Sequence, residues 1–261
     1  MPMDQKKRST LLTLGAIGAA YAGLRYLPNL RTEKLTLEAM ERPRGFRRYV
    51  AGESTIANFD PFIGLDADNT PEKRAALQRA DSRVATDLCT PLFSGTDQAA
   101  NVVPMASFSD YYCPYCRIQT ERLSEMSKTN DISVTWHELP LLGDNSVLAA
   151  KAALAAKRQG AYVAFHAHLM NTPFAPTFAY LTRLSKDLGV DELQLRNDMQ
   201  SPAVMRELED TAAVSRVFGF FGTPALVIGR TVILGKVSDK MIEKIVAMER
   251  EEGWNSVCTT A

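Results

Sequence analysis

One segment constrains the fold more than any other: an apolar stretch, Asn101-Val-Val-Pro-Met-Ala-Ser-Phe-Ser109, running into Cys113-Pro-Tyr-Cys116. The stretch reads as a strand, and Ile118, Leu123 and Met126 then fall roughly on one side of a helix from Pro114 to about Lys128. A strand that delivers a Cys-x-x-Cys pair to the first turn of a helix has a chemical consequence. Unpaired backbone N–H groups and the positive end of the helix dipole meet at the first cysteine and favour its thiolate, the form that attacks disulfides. The second cysteine lies one turn on, on the same face, so the two sulfurs can bond without moving the backbone. Pro114 removes a donor that the first turn would leave unpaired anyway. The pattern assigns Cys113 as the nucleophile and Cys116 as the resolving thiol. A zinc knuckle would need a second pair, whereas Cys89 and Cys258 are single residues with no histidine beside them. No metal site and no cofactor is therefore expected.

The remaining pattern gives the order of elements. Thr70-Pro71-Glu72 starts a helix running to about Cys89. Ile132-Ser-Val-Thr-Trp136 alternates as a second strand. Residues 145–218 are helical almost throughout, with breaks near Gly160, Asn171 to Pro176, Gly189 and Ser201-Pro202. Ala225–Ile228 and Thr231–Leu234, split by Gly229-Arg230, form a hairpin. Ser238 caps a last amphipathic helix ending near Gly253. The order β, α, β, helical block, β, β, α specifies an α/β chain with a thioredoxin-like fold and an inserted helical domain. Gly222-Thr223-Pro224 stands immediately before a strand, where a proline marks a turn.

Residues 25–69 show no sustained period and read as an extended arm, with a solvated basic cluster at Arg42, Arg44, Arg47 and Arg48. Lys6-Lys7-Arg8, the uncharged stretch Ser9–Leu24 and Ala20-Tyr21-Ala22 read as an export signal or a membrane anchor over residues 1–24. Export places the chain in an oxidising compartment: the periplasm, or the outer face of the inner membrane to which it is tethered. There a bridge between Cys89 and Cys258 is expected from the even cysteine count, the alternatives being two buried thiols or contacts with a partner. Lys plus Arg equals Asp plus Glu at 30 each, so no global field draws the chain to nucleic acid, and no nucleic-acid motif occurs. His166 and His168, two apart on a helix, diverge too far to share a metal and read as packing or surface residues. Phe218, Phe220 and Phe221 beside the proline turn read as core residues, the alternative being the lining of an apolar peptide groove.

Four segments in order resemble the DsbA family of bacterial thiol oxidoreductases. They are Phe108-Ser-Asp-Tyr-Tyr-Cys-Pro-Tyr-Cys-Arg117, His137-Glu-Leu-Pro-Leu-Leu-Gly143 with Ser146, the Ala-rich helix through Gln159-Gly160 to Phe165-His166, and Gly222-Thr223-Pro224. The resemblance implies a cis peptide at Thr223-Pro224 beside Cys113, with Thr223 and Pro224 binding the substrate backbone as an added strand. It implies that Pro114 and Tyr115 tune the redox pair. It also implies cysteine-bearing exported proteins as substrates and a membrane redox partner. The family usually carries a buried acid six residues before the first cysteine, where this chain has Ser107; Glu138 or His137 are candidates to replace it. The expected organisation is 1–24 signal or anchor, 25–95 arm with one helix, 96–143 with 219–252 thioredoxin core, 144–218 helical insertion and 253–261 tail. The expected function is disulfide formation in envelope proteins; a disulfide isomerase or reductase and a thiol-based copper chaperone are the alternatives.

Overall fold

The structure, a computed structural model, describes residues 34–50, 55–56, 70–93, 102–129, 132–172, 177–254 and 257–258. The segment expected to direct export, residues 1–24, lies outside the described residues.

Strands β4 (Val103–Ser109) and β5 (Ile132–Glu138) pair in parallel, and β4 is buried along its whole length. The hairpin β7 (Ala225–Ile228) and β8 (Thr231–Leu234) packs antiparallel on the other side of β4. Gly229 turns that hairpin at φ 53°, where a Cβ would come within 2.8 Å of the Trp254 Cβ and 2.7 Å of the Glu249 carboxyl. Only glycine meets both demands.

Residues 25–95, expected as an arm with one helix, contribute more than that. β1 (Leu37–Ala39) and β2 (Arg47–Val50) extend the sheet to six strands in the order β1-β2-β8-β7-β4-β5, with β2 parallel to β8. β3 (Thr55–Ile56) pairs antiparallel with β6 (Gly222–Thr223) in a separate two-stranded ladder. Two helices follow, α1 (Pro71–Thr86) and α2 (Cys89–Phe93). Thr70 caps α1 by accepting from the Lys73 N–H, and Asp87, whose N–H makes the last helical bond to the Arg83 carbonyl, ends it by turning to extended backbone (φ −143°, ψ 102°). The arginine cluster divides accordingly. Arg42 and Arg44 are exposed, whereas Arg47 and Arg48 sit half-buried with partners. Arg47 bonds Glu249 at 2.8 Å and Glu252 at 2.5 Å, and Arg48 donates to the Phe218 carbonyl at 2.6 Å. A strand whose charges are matched only by residues near the other end of the chain leaves no local hydrophobic period to read.

The other helices are α3 (Pro114–Met126), α4 (Asp144–Lys157), α5 (Tyr162–Asn171), α6 (Phe178–Asp187), α7 (Glu192–Asp198), α8 (Pro202–Phe218) and α9 (Asp239–Glu252). Side-chain caps from Thr177, Asp191, Ser201 and Ser238 open α6, α7, α8 and α9. One core gathers α1, α2 and α8 against the sheet face carrying Ala106, Phe108, Ala225, Val227 and Val232. Phe218 and Phe220 belong to it, whereas Phe221 is 40% exposed. A second core is built from α4 to α8 and takes in Tyr111, Cys113 and Cys116. The helical insertion therefore packs directly on the cysteine pair.

Candidate functional site

β4 ends at Ser109, and the chain turns through Asp110-Tyr111-Tyr112, closed by the Cys113 N–H to the Asp110 carbonyl at 3.1 Å. Cys113 is the N-cap of α3 and Pro114 its first residue. The Cys113 Sγ accepts the Cys116 backbone N–H at 3.2 Å, so the end of the helix points a donor at the sulfur. Cys113 and Cys116 are both free thiols, and both have 0% of their surface exposed. Burial pushes the Cys116 thiol well above its ordinary value, and the hydrogen bond shared with Cys113 adds to the rise. Cys116 thus holds its proton while Cys113 is the sulfur served by the helix donor.

The Thr223–Pro224 peptide is cis, and Thr223 is fully buried. The Cys113 thiol donates to the Thr223 carbonyl at 3.4 Å, which brings this turn against the first cysteine. Pro114 is exposed, and Tyr115 is half-buried with the Lys236 ammonium 5.8 Å from its ring centre.

Asp110 is a residue that sequence reasoning quoted without giving it a role. Its carboxyl is 1% exposed and accepts four hydrogen bonds. Oδ1 takes the Tyr112 N–H at 2.8 Å and the Ser146 hydroxyl at 2.8 Å. Oδ2 takes the Leu141 N–H at 2.7 Å and the Leu142 N–H at 3.0 Å. Burial raises its pKa from the ordinary carboxylate value, and these bonds pull the other way. One carboxyl thereby ties the cysteine turn to the loop that enters the insertion. An Asp at a strand end shortly before a helix is a turn signal that could have marked it.

Glu138 and His137 do not meet the thiols in any hydrogen bond among the described residues. Glu138 lies opposite Ser109 on β5, and its Oε1 accepts the hydroxyls of Tyr111 at 2.6 Å and Tyr162 at 2.7 Å. His166 Nδ1 is 3.1 Å from the same oxygen, so this histidine is part of a buried polar network rather than plain packing. Burial, with Glu138 next, holds both tyrosines well above their ordinary pKa, so they remain donors. His137 faces the other core, stacked on Phe108. Ser107 Oγ is buried without a hydrogen-bond partner. His168 stands apart, its ring 6.4 Å from that of Tyr180.

Cys89 and Cys258 are joined by a disulfide with a Cα–Cα distance of 5.4 Å. Among the described residues no group of three or more His, Cys, Asp or Glu is placed to hold a metal ion. No helix among them is long and apolar enough to cross a membrane.

Comparison with known proteins gives a consistent picture. The DSBA-like thioredoxin domain family matches residues 105–247. A thioredoxin-like oxidoreductase from Silicibacter pomeroyi DSS-3 is 30% identical, with 62% of this chain and 97% of that chain covered at a TM-score of 0.58. The catalytic domain of Proteus mirabilis ScsC is 26% identical over 66% of this chain and 98% of its own, at 0.56. A periplasmic thioredoxin-like protein from Salmonella enterica serovar Typhimurium is 26% identical over 63% and 97%, at 0.51. Among curated proteins no relative matches significantly.

Proposed function

The chain belongs to the DSBA-like thioredoxin-domain family of thiol–disulfide oxidoreductases, and on that premise we propose that it forms disulfides in exported proteins through Cys113 and Cys116. The observation that carries the oxidising direction is the Cys116 N–H aimed at the Cys113 sulfur, 3.2 Å away. A donor there stabilises the Cys113 thiolate, hence the reduced pair, and a stabilised reduced form makes the disulfide a stronger oxidant.

In the oxidised protein a substrate thiolate attacks Cys113 Sγ. A new S–S bond forms, the Cys113–Cys116 bond breaks, and its electron pair leaves on Cys116, which takes up a proton. The raised pKa of Cys116 keeps that proton in place and slows its return to attack the mixed disulfide. A second substrate thiolate then attacks the substrate sulfur of the mixed disulfide and expels Cys113. The substrate loses two electrons and the pair gains them, ending as two thiols. Thr223, whose carbonyl touches Cys113, and Pro224 receive the substrate backbone as an added strand; Pro114 and Tyr115 set the poise of the pair. A membrane redox partner restores the disulfide, and the work is done in the periplasm or at the outer face of the inner membrane. The helical insertion is the segment 144–218.

The test is the equilibrium of Cys113 and Cys116 against glutathione buffers, followed by thiol alkylation. A potential near about −120 mV marks a disulfide donor, and one near about −270 mV marks a reductase and ends the oxidase reading. In the same buffers oxidised glutathione converts Cys113 of Cys116→Ser to a glutathione mixed disulfide; a client thiolate then displaces glutathione, and a client with a single cysteine stays bound to Cys113 because it has no second thiolate to expel it.

A further inference from the structure

We propose that Thr55 and Ile56 form a built-in strap over the substrate edge of the active site, so that the enzyme rests shut and a client strand opens it by replacement. The inference rests on the oxidoreductase reading above and adds a control of the same site.

Two independent observations carry it. First, β3 pairs antiparallel with β6, Thr55 opposite Thr223 and Ile56 opposite Gly222. β6 is no remote edge, because the Thr223 carbonyl is the group that the Cys113 thiol touches at 3.4 Å. The chain's own backbone thus lies along the strand that borders the nucleophile. Second, Cys113 and Thr223 are each 0% exposed. Exchange requires a foreign sulfur to reach bonding distance of Cys113 Sγ, and a sulfur with no accessible surface offers no approach. The arrangement must open before it can act on a protein.

A client that adds a strand beside Gly222 and Thr223 needs the same row of backbone donors and acceptors that β3 uses. The two are mutually exclusive. The strap has the advantage of being tethered, and the disadvantage of being only two residues long. So short a ladder holds weakly and yields to a longer extended segment. It therefore selects clients that present unfolded, extended chain around the cysteine over folded proteins whose strands are already paired.

The test compares the oxidised full chain with its Thr55→Pro/Ile56→Pro variant, since proline removes the backbone donors of the ladder. The probe is an unstructured peptide carrying two cysteines, and glutathione serves as the small-thiol reference. The expected result is a peptide oxidation rate about tenfold higher in the variant, the ratio equivalent to about 1.4 kcal/mol of pairing. Amide hydrogen exchange at Gly222 and Thr223 rises with it, while the glutathione equilibrium of the pair is shared by both proteins. Equal peptide rates in two proteins of equal melting temperature overturn the strap and leave the oxidoreductase reading standing. If the proline variant melts lower, the two peptide rates are read at a temperature at which both proteins are fully folded: a faster peptide reaction in the variant supports the strap, and an unchanged one overturns it. If neither protein exchanges with glutathione at all, the oxidoreductase reading falls and the strap falls with it.

Discussion

The ring of His137 lies flat on Phe108, 4.4 Å between ring centres, and bonds through Nε2 to the Leu92 carbonyl at 2.9 Å and through Nδ1 to the Thr211 hydroxyl at 3.4 Å. Burial lowers its pKa from 6.5 to about 4. The unfolded chain therefore binds a proton between those values that the folded chain refuses. Its contribution to stability is fully present above pH 6.5 and is lost as the pH falls through about 4. The loss amounts to about 3 kcal/mol across that window. Asp110, whose pKa is raised by burial, has the opposite sign: its contribution is lost as the pH rises from the ordinary carboxylate value. The comparison is best made as a difference. His137→Gln should remove most of the slope between pH 6.5 and 4 in urea-unfolding free energy, leaving a flatter curve than the wild type. At this scale the sequence was readable where chemistry needs a particular residue type at a particular spacing, as at Cys113 and Cys116. It gave no role to Asp110, Tyr111 or Tyr162 and read His166 as packing or surface, because the Glu138 network draws its members from separate elements and no spacing announces it.

At the scale of elements, legibility followed hydrophobic period. β4, β5, the β7–β8 hairpin and α9 each carry a pattern that buries one face or both, and the sequence places them within a residue or two. β1, β2 and β3 carry none. β2 reads Arg47-Arg48-Tyr49-Val50, and only the fold shows that its first arginine meets Glu249. That carboxyl is wholly buried and also receives the Thr231 hydroxyl at 2.5 Å. Arg230 stands farther off, its Nε 3.5 Å from the other oxygen. Removing the nearer guanidinium leaves a buried carboxyl with weaker compensation. Arg47→Met is expected to cost about 2 kcal/mol, below the usual cost of breaking a buried pair because Arg230 remains. A lower urea midpoint at an unchanged slope checks it, and an unchanged midpoint would show that this pairing contributes nothing to holding β2 on the sheet.

On the scale of the whole molecule, the Cys89–Cys258 disulfide spans a sequence separation of 169 residues. It anchors the start of α2 to the C-terminal segment, where Cys258 packs in the same core as Leu92 and Phe93. A loop of that length is worth about 5 kcal/mol in the chain-entropy account. The Cys89→Ala/Cys258→Ala protein should melt about 10 °C lower while its redox pair keeps the same glutathione equilibrium. A melting temperature within a degree or so of the wild type would show that this cross-link adds little beyond the packing around it.

The parallel contact of β2 with β8 carries a consequence for biogenesis. Arg47 and Thr231, paired across those strands, are 184 residues apart. A ribosome releases the earlier strand long before the later one exists. Throughout that interval the segment 47–50 has only β1 to pair with, and its open edge must be kept from neighbouring chains. Assembly of the six-stranded sheet is therefore a late event, completed only after the hairpin at Gly229 has emerged. Elongation pauses before that point should leave the chain vulnerable to proteases and dependent on holding chaperones, and pauses after it should not.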